Sequence, residues 1–135
     1  MRGRLEINRQ LLDGLVREAL ASKGEICGFL LGRPEGECFK VRELYKAENV
    51  SPAKETSFDV DPRDVYEAHA YAEKRSLDVV GIYHSHPGPP SPSPTDMKCM
   101  EDWPIAWLII SSIDGSMAAY IAKRGSIEEL EVYVV

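Results

Sequence analysis

Two histidines one residue apart follow an apolar, β-branched run in the second half of the chain. The run begins at Val79, and His84 and His86 stand at its end. Such a run is typical of a buried strand. Side chains on a strand alternate between faces, so residues two apart point the same way, roughly 6.5 Å apart along the chain. If the strand continues to its end, both imidazoles can reach one metal ion at about 2.0–2.1 Å each.

A carboxylate follows these histidines after a stiff loop. Residues 87–94 include five prolines among eight residues, and Asp96 comes just after them. This loop cannot continue the strand, because proline lacks the N–H that a sheet requires. Two nitrogens, one oxygen and an open position are the ligand count of a catalytic zinc site rather than a structural one.

The composition limits the class of protein. The chain has 135 residues, of which 44% are hydrophobic and 28% charged, and its net charge is −6. These values favour a single globular domain over residues 1–135. The acidic balance argues against nucleic-acid and anionic-membrane partners, which require a basic surface. Three cysteines (Cys27, Cys38 and Cys99) cannot form a paired disulfide framework, so we expect a reducing, cytoplasmic location.

Periodicity predicts an α/β fold with a mixed sheet and about three helices on its faces. Asn8 and Asp61 are predicted N-caps, and a third, short helix is expected after Ser93. The polar segment Tyr45–Thr56 is interpreted as a functional loop or flap. The other predicted helices cover residues 9–22 and 62–75, and the predicted strands cover 5–7 (an edge strand), 26–32, 38–44, 57–60, 79–86, 105–110, 117–123 and 127–135, with a hairpin turn at 33–37.

Several metal-site patterns are missing from the sequence. His86 is followed by Pro87 and Gly88, so the HxHxDH pattern of metallo-β-lactamases is excluded. The sequence also lacks HExxH and the HxE with PCxxC of zinc deaminases. What remains is HxH with a carboxylate on a following loop or helix.

In order along the chain, these residues resemble the JAMM motif of MPN-domain metalloproteases. The resemblance lies in Glu25 ahead of the segment CGFLLG (27–32), the segment HSHP (84–87) and the segment SPTD (93–96). It implies a single MPN domain of the cytidine-deaminase-like type, with a mixed, curved β-sheet flanked by about three helices. Six residues separate the second histidine from the serine, one fewer than is usual in the family.

The resemblance also implies a role for each motif residue. His84, His86 and Asp96 would hold one Zn²⁺ per chain. Glu25 would accept a proton from the attacking water and pass it to the leaving amine. The Ser93 hydroxyl would donate a hydrogen bond to the developing oxyanion.

Each residue also has a purely structural interpretation. The two histidines could be hydrogen-bonded polar residues at a strand end, and Glu25 an exposed charge at a loop–strand junction. Ser93, Pro94 and Asp96 make a good helix start, which is compatible with a catalytic role because a cap fixes the serine. Cys27 is interpreted as a small core residue.

The substrate class comes from the resemblance alone. It implies hydrolysis of the bond after the C-terminal Gly-Gly of a ubiquitin-like or sulfur-carrier protein of β-grasp fold, and it is compatible with a homodimer. Two alternatives stay open: a zinc hydrolase that trims a residue or peptide from the C-terminus of a sulfur carrier, and a non-catalytic MPN scaffold.

Overall fold

Seven strands and three helices make up residues 3–135, the part of the chain that the computed structural model describes. The first two residues of the predicted domain therefore lie outside the described range. The elements are β1 (Arg4–Ile7), α1 (Arg9–Ala21), β2 (Cys27–Glu35), β3 (Cys38–Ala47), α2 (Pro62–Lys74), β4 (Asp78–His86), α3 (Pro94–Asp102), β5 (Ala106–Ser111), β6 (Met117–Lys123) and β7 (Ser126–Val134).

The strands form one mixed sheet that closes into a barrel. Their order is β1-β3-β2-β4-β5-β6-β7, and β7 returns to β1. β1 runs parallel to both its neighbours and β4 runs parallel to β5, whereas the other pairs are antiparallel. The α/β class, the mixed sheet and the three helices are confirmed. The predicted curved sheet is corrected to a closed one, and the predicted edge strand at 5–7 is paired on both sides, which removes an unpaired edge.

Apolar residues cover both faces of the sheet. One face packs on α1 through a cluster that includes Leu15, Leu108 and Tyr83. The other face carries Ile82 and Trp107 and packs under α2 and α3. Both faces are therefore buried, which explains the nearly continuous apolar run in β5.

The helix starts are confirmed, but several strand boundaries differ. Asn8 accepts a hydrogen bond from the Leu11 N–H, and Asp61 caps a helix with proline in its first turn. β2 continues to Glu35, so the hairpin turn narrows to residues 36–37, where Gly36 takes a positive φ of 60°. β3 extends through 45–47, which the sequence placed in the flap, and the predicted strand 57–60 is reduced to a single bridge between Asn49 and Val60.

Gly32 occupies a place where the β2–β3 pair is too close for a side chain. The register shifts between Leu31 and Gly32, and a Cβ at Gly32 would overlap the carbonyl oxygen of Lys40. A Cβ at Gly14, in α1, would instead have no neighbouring atom within 4 Å.

These two glycines should respond to alanine in opposite directions. Gly32→Ala is expected to lower the free energy of unfolding by about 1–3 kcal/mol, because backbone of a paired strand must move. Gly14→Ala should raise it by about 0.8–1.0 kcal/mol, since alanine is the better helix former. Urea denaturation measures both. Equal changes in the free energy of unfolding would contradict the close approach of β2 and β3 at Gly32.

Candidate active site

The end of β4 carries the two histidines to the same place as the start of β2. β4 continues through His86, so His84 and His86 share a face of the sheet, as predicted. Cys27, the first residue of β2, pairs with His84. Glu25, two residues earlier, is buried with 6% of its surface exposed. Residues almost sixty positions apart in sequence thus meet at one end of the barrel.

Both imidazoles converge on one carboxylate oxygen. The Nε2 atom of His84 lies 3.2 Å from Asp96 Oδ2, and the Nε2 atom of His86 lies 2.9 Å from the same oxygen. His84 is fully buried and Asp96 is only 6% exposed. The structure therefore brings together the three groups that the sequence proposed as metal ligands.

A capping box fixes Asp96 at the start of α3. The Asp96 N–H donates to Ser93 Oγ at 3.1 Å, and the Ser93 N–H donates to Asp96 Oδ2 at 2.9 Å. Pro94 occupies the first turn. The shorter proline-rich loop thus still delivers both Ser93 and Asp96 to the site. Because Ser93 Oγ is the acceptor in this bond, its own O–H is left to donate elsewhere.

His84 is held by aromatic packing rather than by a hydrogen bond at its second nitrogen. Phe58 stacks on its ring with a centroid distance of 4.4 Å, and Trp107 meets it edge-on at 5.9 Å. Its Nδ1 atom is buried and has no partner among the residues described. Burial lowers the pKa of His84, which favours the neutral ring. Nε2 is then the nitrogen that this residue offers to a ligand.

The two carboxyl groups of the site have opposite environments. Burial raises the pKa of Glu25 to about 7, although His86 partly opposes the shift. Burial also acts to raise the pKa of Asp96, but hydrogen bonds from His84 and His86 outweigh it and lower the pKa. Paired groups with pKa values driven apart are typical of acid–base sites. Asp96 is suited to stay ionised, and Glu25 is suited to exchange a proton near neutrality.

The donor set fits a divalent metal. Four ligand atoms at about 2.0–2.1 Å from a tetrahedral ion are roughly 3.3 Å from each other. The contacts of 2.9 and 3.2 Å around Asp96 Oδ2 are close to that separation. Ligand atoms of Glu25, His84 and His86 also lie within 4.8 Å of one another. Either carboxylate can complete the set by distance, and the ionised character of Asp96 favours it as the ligand.

A cavity of about 340 Å³ opens at this cluster. Glu25, His86, Ser93 and Asp96 are among the polar residues that line it. Residues 56–60 form one wall. This wall begins at the last residue of the predicted flap and continues beyond it. Apolar side chains line the remainder, among them Phe29, Ile82, Trp103 and Trp107, together with Cys99. A largely apolar cleft with a few convergent polar groups is typical of a substrate site.

Sequence reasoning missed the residues that hold the backbone of the site. Ser85 accepts from the Ile26 N–H at 2.9 Å, which ties the entry of β2 to the segment between the histidines. Ser112 donates from its N–H and its hydroxyl to the His86 carbonyl oxygen, at 2.7 and 3.0 Å. The alternation of β4 does predict that Ser85 faces away from the metal ligands, but no local signal identifies its partner.

Comparison with known proteins agrees with this geometry. Residues 8–122 match the family described as prokaryotic homologs of the JAB domain. The chain belongs to this family. The match confirms the JAMM/MPN resemblance drawn from the motif residues.

Two curated relatives of this JAB domain are similar over most of their length. A desampylase of Pyrococcus furiosus is 35% identical over 131 residues, which are 96% of this chain and 90% of the relative. A probable TtuB-protein conjugate cleaving protease of Thermus thermophilus is 36% identical over 125 residues, 92% of this chain and 75% of the relative.

Solved structures show the same JAB fold. A solution structure of a Desulfitobacterium hafniense protein has a TM-score of 0.86 and 26% identity, covering 97% of this chain and 92% of its own. A Salinibacter ruber protein has a TM-score of 0.70 and 26% identity, covering 98% and 91%. Separately, no helix within residues 3–135 is both long and apolar enough to cross a membrane.

Metal binding should distinguish the two carboxylates. We expect the apo protein to bind about one Zn²⁺ per chain, and Asp96→Ala to weaken binding by more than the roughly 10- to 100-fold lost on changing an outer-shell partner. Asp102→Ala, at the exposed end of the same helix, is the control. Competition titration against a chelator measures the affinity. If Asp96→Ala bound zinc with unchanged affinity and Glu25→Ala bound it more weakly, Glu25 would be the ligand instead.

Cys99 should be the thiol that reports on the cavity. It is exposed and lines the cleft, whereas Cys27 is buried and its pKa is raised to about 12. At about pH 8 a thiol with that pKa is only about one part in 10⁴ thiolate, which is the reactive form. N-ethylmaleimide should therefore modify Cys99 long before Cys27, as followed by mass spectrometry. Cys99→Ser is the control, and faster modification of Cys27 would contradict the described burial.

Proposed function

We propose that the chain is a JAMM-type zinc isopeptidase that releases ubiquitin-like small modifier proteins from their conjugates. The observation that carries the proposal is the convergence of two imidazoles, one fully buried and one partly exposed, and a carboxylate, with Glu25 beside them, in a cleft. The relatives support the substrate class, because one is named a desampylase and another a protease that cleaves TtuB–protein conjugates.

His84, His86 and Asp96 would hold the metal. Zinc, when bound there, supplies a Lewis acid that polarises a carbonyl group and makes water more acidic. Without a metal, hydrogen bonds from the two imidazoles lower the pKa of Asp96 despite its burial, and a bound cation would likewise favour the ionised carboxylate. The capping box keeps its Oδ2 atom directed at both rings.

Glu25 and Ser93 would carry the proton and the charge. The Glu25 carboxylate takes a proton from the attacking water and delivers it to the leaving lysine amine, which becomes a good leaving group only when protonated. Both residues line the same cavity. The free O–H of Ser93 donates to the carbonyl oxygen as it gains negative charge, a stabilisation worth about 3 kcal/mol in comparable sites.

The cleft suits a slim, extended tail. Residues 56–60 line one side of it and include no regular strand. The backbone groups of Ser57 and Asp59 are already bonded within the loop or to Asn49. An extended peptide would therefore pair with the remaining backbone positions of this wall, while pockets beside them select side chains. A glycine-rich C-terminus meets the least steric resistance on such a path.

The two alternatives are less well supported. Trimming of a sulfur carrier would use the same residues, and the apolar part of the cavity would hold the side chain of the departing residue. A non-catalytic scaffold has no need for a complete ligand set in a cleft. A homodimer stays a prediction from the resemblance, and a cytoplasmic location stays a prediction from the cysteine count.

Glu25→Gln tests the proposal most directly. The amide cannot accept the proton, so we expect turnover of a modifier–lysine conjugate to fall by at least about 10²-fold. Bound zinc should be unchanged, because Glu25 is not assigned as a ligand. Glu101→Gln, an exposed change on α3, is the matched control.

A second substrate separates isopeptidase from trimming activity. The modifier fused through its C-terminal glycine to a linear peptide is compared with the modifier joined to a lysine side chain. Faster cleavage of the lysine conjugate supports the proposal, whereas exclusive cleavage of the linear fusion supports trimming. Full activity of Glu25→Gln, or no cleavage of either substrate by the zinc-loaded wild type, would overturn the catalytic assignment.

A further inference from the structure

One amide side chain connects the backbone of Glu25 to the loop that forms the cavity wall. The Nδ2 group of Asn49 donates to the Glu25 carbonyl oxygen at 2.9 Å and to the Ser57 carbonyl oxygen at 3.0 Å. Its Oδ1 atom accepts from the Ser51 N–H at 3.0 Å and from the Asp59 N–H at 3.1 Å. The Nδ2 group therefore joins the Glu25 backbone to the loop, and the Oδ1 atom bonds two N–H groups of the loop.

Residues 50–59 form a closed loop with its own internal bonds. At its base the Val50 N–H donates to the Asp59 carbonyl oxygen at 3.0 Å. Within it, Ser51 Oγ and Ser57 Oγ lie 2.7 Å apart, and Ser51 Oγ accepts from the Ala53 N–H at 3.0 Å. Ser51 is only 3% exposed although it lies in a loop. The loop is thus a compact unit with closely spaced ends.

The tip of the same loop holds the other side of Glu25. The Glu25 N–H donates to the Lys54 carbonyl oxygen at 2.6 Å. Gly24 lies so close that a Cβ there would be 3.1 Å from the same oxygen. Both backbone polar groups of Glu25 are therefore bonded to the loop or to Asn49, although Glu25 lies just before β2.

The loop also reaches the histidines. Phe58, which stacks on His84, lies on it, and residues 56–59 contribute to the cavity wall. A displacement of the loop would therefore change the wall of the cleft and the packing on His84 at the same time. Through Asn49 and Lys54 it would also move the backbone that carries the Glu25 carboxyl group.

We propose that Asn49 is a positioning residue that fixes Glu25 relative to the histidines and holds loop 50–59 against the site. This inference rests on the proposed function, in which Glu25 transfers the proton. Asn49 touches no reacting group, so its effect is on geometry. A misplacement of about 1 Å can lower the rate about 10²-fold.

Three variants separate positioning of Glu25 from stability of the loop. Asn49→Asp keeps an oxygen for the Ser51 and Asp59 N–H groups but loses both N–H donors. Asn49→Ala loses both the donor group and the acceptor atom of the amide and adds no charge. Ser51→Ala breaks hydrogen bonds inside the loop and leaves the Asn49–Glu25 bond intact.

The first measurement is the rate of modifier-conjugate cleavage by the zinc-loaded protein. For both Asn49 variants we expect kcat to fall about 10- to 100-fold with KM changed less than threefold and zinc content unchanged. Ser51→Ala should keep kcat within about threefold of the wild type. Loss of activity in Asn49→Asp but not in Asn49→Ala would trace the effect to the added charge and overturn the proposal. An equal loss in Ser51→Ala would also overturn it.

The second measurement does not depend on activity. Hydrogen exchange of the Glu25 amide, followed by NMR, reports the bond to Lys54. We expect exchange at least 10-fold faster in both Asn49 variants than in Ser51→Ala, since an opened backbone group exchanges readily. If the wild type cleaves no conjugate, the proposed function fails while this exchange result still decides the role of Asn49. Unchanged exchange in both Asn49 variants would overturn it.

Discussion

The site depends on one buried carboxylate oxygen that three nitrogen groups contact. Two of them are imidazole nitrogens, and the third is a backbone N–H. Asp96 Oδ2 is within 3.2 Å of both histidine Nε2 atoms and accepts from the Ser93 N–H. Burying a charged group is costly unless it is paired and hydrogen-bonded. Here the same contacts that offset this cost also direct two imidazoles to one point. The geometry suited to a metal is therefore also the geometry that makes burial of the acid tolerable.

Two rigid elements bring these groups together. The histidines stand on a central strand with paired neighbours on both sides, and the acid stands in the first turn of a helix whose start is fixed by a capping box. Sites built on strands and helices hold their geometry better than sites built on loops. Glu25 is different, because it lies outside β2 and is bonded through its backbone to Asn49 and to Lys54 of loop 50–59. Glu25 is thus the one residue of the site whose position depends on a loop rather than on a strand or helix.

Local patterns in the sequence predicted much of this arrangement. The two-residue period of a strand puts His84 and His86 on one face, and serine, proline and aspartate at 93, 94 and 96 predict the helix start that the structure shows. The motif residues also predicted the family, which comparison confirms. These features depend on neighbours within a few positions, so they can be recognised without a fold.

Features that depend on distant residues could not be predicted in the same way. The closure of the barrel requires β1 to pair with β7 across nearly the whole chain, and neither strand carries a signal for its partner. The bond from Asn49 to Glu25 likewise spans 24 positions. The prediction of a strand at 57–60 is wrong, because its apolar residues line the cavity and pack against the apolar face under α2 and α3. They do not join a ladder. Pattern alone does not distinguish these uses.

The closure of the barrel also determines which strand pair can open locally without disturbing the strand that carries the histidines. In the order β1-β3-β2-β4-β5-β6-β7, the β1–β7 junction is opposite β4, with three strands on each side of that central strand. β1 and β7 are joined there through four paired positions, and a native protein can open locally at such a pair without unfolding globally. Transient separation there would leave the ladders of β4 with β2 and β5 intact. The barrel thus places the junction that closes it as far as its circumference allows from the histidines.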